Sequence, residues 1–144
     1  MHRLLFLSWE GHMIGVLLLS HGKLAEGVYE TLKLFYGENL EQVSFLGLYE
    51  DGETDIDSYE NNVRKAIRKL NDGSGVVVLT DLLGGTPYNK SSLFRKKDVV
   101  ILSGLNLNMA LEVMGRRNRA EKVSEMNLGL IAEESRKGIT VLEG

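Results

Sequence analysis

A histidine, an aspartate and a glycine-rich turn are the residues in this chain whose types and placement could move a phosphoryl group. His21 closes an apolar run in VLLLSHGK, and Gly22 after it permits a tight exit and close ligand approach. Asp81 closes a second apolar run, VVVLTD, and leads into Leu82-Leu83-Gly84-Gly85-Thr86-Pro87-Tyr88-Asn89. A neutral imidazole is a competent nucleophile near neutral pH. A carboxylate accepting its Nδ1 proton would set the tautomer and leave the lone pair on Nε2. The same carboxylate would stabilise the positive charge that grows on the ring as Nε2 attacks phosphorus. Gly84 and Gly85 ahead of a helix start at Thr86 favour an anion. The amides of Gly85 and Thr86, with the Thr86 hydroxyl, are suited to hold the transferred phosphoryl oxygens.

Each of these features has a plainer reading when taken alone. A strand-end histidine can serve loop carbonyls, a Gly-Gly pair can serve any tight strand-to-helix turn, and Asp81 could itself be a phosphoacceptor. Their convergence is what points to chemistry. His2 and His12 stand outside the pattern and suggest no metal cluster. The phosphate-binding signature GxxxxGK[ST] of nucleotide hydrolases is missing. The expectation is therefore transfer between phosphoryl carriers, with neither metal nor cofactor.

The elements that must position these residues alternate along the chain. Ile14–Leu19, Gln42–Leu48, Val76–Leu79 and Asp98–Leu102 are short apolar runs of the kind that form strands covered on both faces. Between them, Lys23–Tyr36 carries Leu24, Val28, Leu32 and Phe35 at helical spacing, and Ile56–Leu70 carries Ile56, Tyr59, Val63, Ile67 and Leu70. Thr86-Pro87 reads as an N-cap followed by proline at the first helical position. Asn108–Gly115 is a short helix, and Ala120–Lys137 a last one closed by Gly138. Ile139–Leu142 reads as a final short strand. This alternation predicts an α/β fold with a mainly parallel central sheet flanked by helices, and a C-terminal antiparallel edge strand. In such folds ligands gather at the carboxyl ends of strands where strand order reverses, which is where His21 and Asp81 fall.

The chain's 144 residues suit one domain. Seventeen Lys and Arg against 20 Asp and Glu leave a net charge of −3, which argues against a nucleic-acid or membrane-surface binder. No apolar run approaches the roughly 20 residues of a membrane helix. With 0 cysteines, disulfides and thiolate chemistry are excluded, in keeping with a reducing compartment. Residues 1–12 read as an N-terminal extension, vector-derived or an over-extended start ahead of Met13, and 13–144 as the domain. Phe35, Tyr59 and Phe94 read as core residues. Arg95-Lys96-Lys97 and Arg116-Arg117-Asn118-Arg119 read as solvated turns, Tyr88 and Asn89 as structural, and Met109 as part of a docking surface.

The segments IGVLLLSHGKLAEG, VVVLTDLLGGTPYN and VVILSGLNLNMALEV resemble the mannose-type IIA (EIIA) domains of the sugar phosphotransferase system. The resemblance runs from about Met13 to the C-terminus. Its most specific part is Asp-x-x-Gly-Gly-(Ser/Thr)-Pro-aromatic-Asn. It implies that His21 is the phosphorylated residue, that Asp81 orients it, and that Thr86 lies by the phosphoryl group together with Gly84 and Gly85. It further implies a cytoplasmic phosphotransferase that receives phosphate from HPr and passes it to a cognate EIIB domain, with membrane EIIC and EIID subunits taking up the sugar. The implied fold is doubly wound and homodimeric, with the C-terminal strand exchanged between partners, a role that Ile139–Leu142 suits.

Two positions depart from the family pattern. Asn106-Leu107-Asn108-Met109 stands where many members have Asn-x-Pro-Met, which is expected to relax that loop and alter docking. Leu83 stands where an aromatic is common and changes the apolar surface beside the site. The alternative within the same chemistry is the IIA-like phosphocarrier subunit of a dihydroxyacetone kinase. More distant alternatives are a receiver-like module, which would use Asp81 itself as phosphoacceptor, a histidine phosphatase-like protein, which would carry Arg-His-Gly and further basic phosphate ligands, and a chelatase-like one, in which the Gly-Gly-Thr-Pro turn has no role.

Overall fold

A computed structural model describes residues 12–49 and 54–144. The segment read as an extension, except for His12, and most of the loop after Tyr49 lie outside the described residues. Four strands form the sheet: β1 (Gly15–His21), β2 (Val43–Leu48), β3 (Val76–Thr80) and β4 (Val99–Ser103). Their order is β2-β1-β3-β4, and every neighbouring pair is parallel. The central strands β1 and β3 are buried along almost their whole length, which is why their sequences are continuously apolar rather than alternating.

Alternation along β1 sends its side chains into two separate apolar layers. Val16 and Leu18 join Ala25, Val28 and Leu32 of α1 (Leu24–Tyr36), with Ala110 and Val113 of α4 (Leu107–Arg117), on one face. Leu17 and Leu19 join Tyr59, Val63, Ile67 and Leu70 of α2 (Ile56–Leu70) on the other. Helices therefore cover both faces. The short α3 (Thr86–Ser92) follows β3, and α5 (Leu128–Arg136) closes the chain. Among the described residues, no helix is long and apolar enough to cross a membrane.

Several expectations are corrected by packing. The buried stripe of α1 is Ala25, Val28 and Leu32, while Leu24 and Phe35 face solvent, so Phe35 is not a core residue. Tyr59 is buried, and Phe94 packs partly buried against the same layer. The single helix expected over 120–137 is two pieces, a 3-10 turn at Val123–Glu125 and then α5. Asn127 breaks it by adopting φ 55° and capping α5 with its side chain, which accepts the Leu130 amide.

Arg117 is not in a solvated turn either. It is buried and donates through Nη1 to the carbonyls of Ile14 (3.1 Å) and Glu41 (2.8 Å), tying the amino ends of β1 and β2 together. Burial pulls its pKa down to about 10 against the opposing charge of Glu41. Residues 139–142 form no strand within the monomer, and Ile139, Val141 and Leu142 are exposed.

Candidate functional site

The first strand leaves the sheet on one side to reach β2, whereas β3 lies on its other side, so the connections diverge between β1 and β3. The carboxyl ends of these two strands carry His21 and Asp81. Gly22, at φ 56°, turns the chain out of β1 immediately after the histidine, a conformation a side chain would strain. Its amide donates to the Leu48 carbonyl at 2.7 Å, holding the exit against the end of β2. One residue earlier, Ser20 Oγ accepts the Ala25 amide at 2.7 Å and anchors the start of α1.

Asp81 is bound to the histidine twice. Its Oδ2 accepts the His21 main-chain amide at 2.8 Å and lies 2.9 Å from His21 Nδ1. Its Oδ1 accepts the Leu82 amide at 2.8 Å. Burial alone would raise the pKa of this carboxyl. The His21 amide, the His21 ring and the Leu82 amide outweigh it and hold the group below the usual carboxylate range. The carboxylate is therefore ionised at neutral pH and acts as acceptor, so Nδ1 is the nitrogen that carries a proton toward it. The backbone of Asp81 is itself pinned from the loop after β4, because Gly104 donates to its carbonyl at 3.2 Å and Leu105 donates to that of Thr80 at 2.9 Å.

The glycine pair does a different job from the one its sequence suggests. The Gly85 amide donates to the Leu82 carbonyl at 3.0 Å inside the turn, so it serves the loop rather than standing ready for a ligand. What Gly85 contributes is space, since a Cβ there would come within 3.0 Å of His21 Cε1. Gly84 sits at φ 81°, and its carbonyl accepts the Asn89 side-chain amide at 2.9 Å. Gly85 is the N-cap of α3, with Thr86 the first helical residue and Pro87 following it, one step earlier than the sequence implied. With 7 residues in α3, any pull on an anion comes from first-turn amides rather than from a long helix dipole. Asn89 holds the turn with its side-chain amide on the Gly84 carbonyl, and the Tyr88 carbonyl accepts the hydroxyls of Ser91 and Ser92.

The loop after β4 is held more firmly than its missing proline suggested. Asn106 caps α4 by accepting the Met109 amide at 2.8 Å, and Asn108 Nδ2 donates to the Ser135 carbonyl at 3.1 Å near the end of α5. Met109 is buried and offers no docking surface. Leu24, Leu82, Leu83 and Leu107, by contrast, are exposed at the carboxyl ends of β1, β3 and β4.

Sequence reasoning treated Tyr59 as plain core and missed its hydroxyl, a buried group with no hydrogen-bond partner. Burial, and then the charge of Asp81, keep that phenol protonated by raising its pKa. The available signal was the residue type, because a tyrosine on an apolar stripe brings a polar atom that needs a reason to be there.

A doubly wound parallel sheet with an imidazole–carboxylate pair at its switch point defines the class of the molecule as an α/β protein with a candidate site at its strand ends. The family described as the PTS system fructose IIA component matches residues 15–134, and the chain belongs to that family. It is 30% identical over 128 residues to the PTS system fructose-specific EIIA component of Bacillus subtilis, covering 85% of this chain and 84% of that one. It is 28% identical over 134 residues to the PTS system mannose-specific EIIAB component of Escherichia coli, covering 90% of this chain. This chain spans 40% of the length of that curated relative. Among solved structures, phosphotransferase system component EIIA from Streptococcus agalactiae superposes with a TM-score of 0.77 at 29% identity, covering 90% of this chain and 97% of that one.

Proposed function

We propose that this chain is a phosphohistidine carrier of a sugar phosphotransferase system, accepting a phosphoryl group on His21 and handing it to an EIIB domain. The observation that carries the reading is the 2.9 Å contact between His21 Nδ1 and an ionised Asp81. With Nδ1–H donated to Asp81, Nε2 directs its lone pair at phosphorus. The Nε2–P bond forms as the bond from phosphorus to the donor breaks, and the donor leaves with that electron pair. Positive charge gathers on the ring and is met by the Asp81 carboxylate. Onward transfer runs the same steps in reverse against the acceptor. Thr86 and the first turn of α3 hold the phosphoryl oxygens, and the bare Cα of Gly85 leaves room beside the ring.

HPr as donor and membrane EIIC and EIID subunits downstream follow from the family resemblance, and EIIB as acceptor follows also from the EIIAB name of the Escherichia coli relative. The exposed leucines grouped around the strand ends support a protein partner, since clustered exposed apolar surface marks interaction sites. The dihydroxyacetone kinase alternative is not favoured, because the relatives found are named as sugar phosphotransferase components. A homodimer formed by exchange of residues 139–142 onto the partner's β4 belongs to the same reading. It is supported by the exposure of Ile139, Val141 and Leu142 and by β4 lying at the sheet edge.

The test is incubation with phosphoenolpyruvate, enzyme I and HPr, followed by mapping of the added group. The expected label survives alkali, is lost in acid and is missing from His21→Ala. An alkali-labile label on Asp81 would convert the reading to a receiver, and no label with a competent HPr would defeat it.

A further inference from the structure

We propose that Tyr59 is a positioning residue for the His21–Asp81 pair, its hydroxyl donating to the acceptor site that Asp81 has left on Oδ1. A carboxylate offers roughly four lone-pair sites. Asp81 uses two on Oδ2, for the His21 amide and ring, and one on Oδ1, for the Leu82 amide. Two buried hydroxyls without partners, Tyr59 Oη and Thr80 Oγ1, lie on the same side of the sheet end. Thr80 follows Val76 and Val78 on the α2 face, directly precedes Asp81 and pairs in register with Leu19. Tyr59, in the first turn of α2, packs in one layer with Leu19, Leu48 and Val78, and Leu48 pairs in register with His21. The phenol therefore sits under the strand ends that carry both members of the pair.

A phenylalanine would fill the same space without burying an unpaired hydroxyl, which is costly to leave unmade. The hydroxyl thus calls for an explanation beyond packing. Burial first, and then the charge of Asp81, keep the phenol protonated and able to donate. The proposed contact requires either a swing of the ring about its Cα–Cβ bond, since Oη lies on the ring's own axis, or one water bridging Oη and Oδ1. With both oxygens held, the carboxylate keeps its plane against Nδ1 while the ring gains and loses charge. Donation to Oδ1 also disperses the carboxylate charge and moderates its pull on the imidazole proton.

The role in transfer rests on the phosphocarrier reading, whereas the first measurement does not. It compares the His21 ring signals by 15N NMR titration in the unphosphorylated full chain, as wild type and as Tyr59→Phe. The variant should fold with a thermal midpoint a few degrees below wild type, since it loses one hydrogen bond to a carboxylate. Its His21 midpoint should rise by about half a pH unit, because Asp81 loses a donor that disperses its charge. Site-specific 3-fluorotyrosine at position 59, a stronger donor, should move the midpoint the opposite way. With phospho-HPr as donor, Tyr59→Phe should lower the maximal transfer rate about fivefold at an unchanged half-saturating HPr concentration. A His21 midpoint within about 0.1 unit of wild type in Tyr59→Phe would overturn the proposal. A wild-type chain that takes no phosphoryl group would defeat the carrier reading alone and leave the titration to decide Tyr59.

Discussion

Asp81 grips His21 at two points with one oxygen, the ring through Nδ1 at 2.9 Å and the main chain through the amide at 2.8 Å. The ring orientation is thereby tied to the strand end rather than left to a rotamer preference. Asp81→Asn keeps the shape but removes the charge and one of the acceptor oxygens. We expect it to slow phosphoryl transfer from phospho-HPr by roughly 10²–10⁴-fold, with secondary structure unchanged by circular dichroism. A rate within about threefold of wild type would show that the carboxylate's charge is not used.

The same contact has a consequence for stability against pH. The pKa of Asp81 is lower in the folded chain than in the unfolded one, so the fold binds the ionised form preferentially. That contribution is in full force above the unfolded carboxylate value of about 3.9 and is lost as pH falls through the lower folded value. Urea midpoints of wild type and Asp81→Asn should differ most near neutral pH and converge in acid. A gap that does not narrow on acidification would contradict this.

Gly85→Ala places a methyl group 3.0 Å from His21 Cε1 and 3.4 Å from the Leu82 carbonyl oxygen. The ring must move to admit it, away from the geometry that Asp81 imposes. We expect a loss in transfer rate of about tenfold or more, with a thermal midpoint only a few degrees lower. Gly84→Ala is the companion experiment. At φ 81° its cost falls on stability, about 1–2 kcal/mol, more than on transfer.

Arg117 acts at the other end of the sheet. Arg117→Met keeps much of the side-chain stem but strands the carbonyls of Ile14 and Glu41. We expect a loss of about 2–4 kcal/mol in urea unfolding. The NMR signals of His21 should stay in place, since the site lies at the carboxyl ends of the strands.

Deleting residues 139–144 removes Ile139, Val141 and Leu142, which are exposed in the monomer. Light scattering should find a dimer for the full chain and a monomer for the truncated one. Phosphorylation of His21 should survive the truncation. A truncated chain that remains dimeric would rule out strand exchange as the basis of association.

Much of this molecule was legible from residue type and local periodicity. The four strands are short apolar runs because β1 and β3 are covered on both faces, and that burial is written directly into Val16–Leu19 and Val76–Leu79. His21 and Asp81 could be singled out because chemistry needs particular side chains at strand ends, and Thr86 because it opens the helix beyond a glycine pair, both local properties. Asn127 shows where local reading stopped, since an asparagine inside an apparently helical run can cap a new helix only once its backbone has left the helical conformation, here by turning left-handed.

Other features depended on residues distant in the chain. His21 and Asp81 are 60 positions apart, and their contact exists because β3 adds beside β1 on the side away from β2. Arg117 reads as a surface cation until the ends of β1 and β2 supply carbonyls for it, and Phe35 reads as core until α1 settles with Ala25, Val28 and Leu32 inward. Gly85 looked like an amide donor, and only the fold set the histidine ring against its Cα. Periodicity determines which face of a segment avoids water. The order in which segments pair determines which side chains meet, and that is a property of the whole sheet.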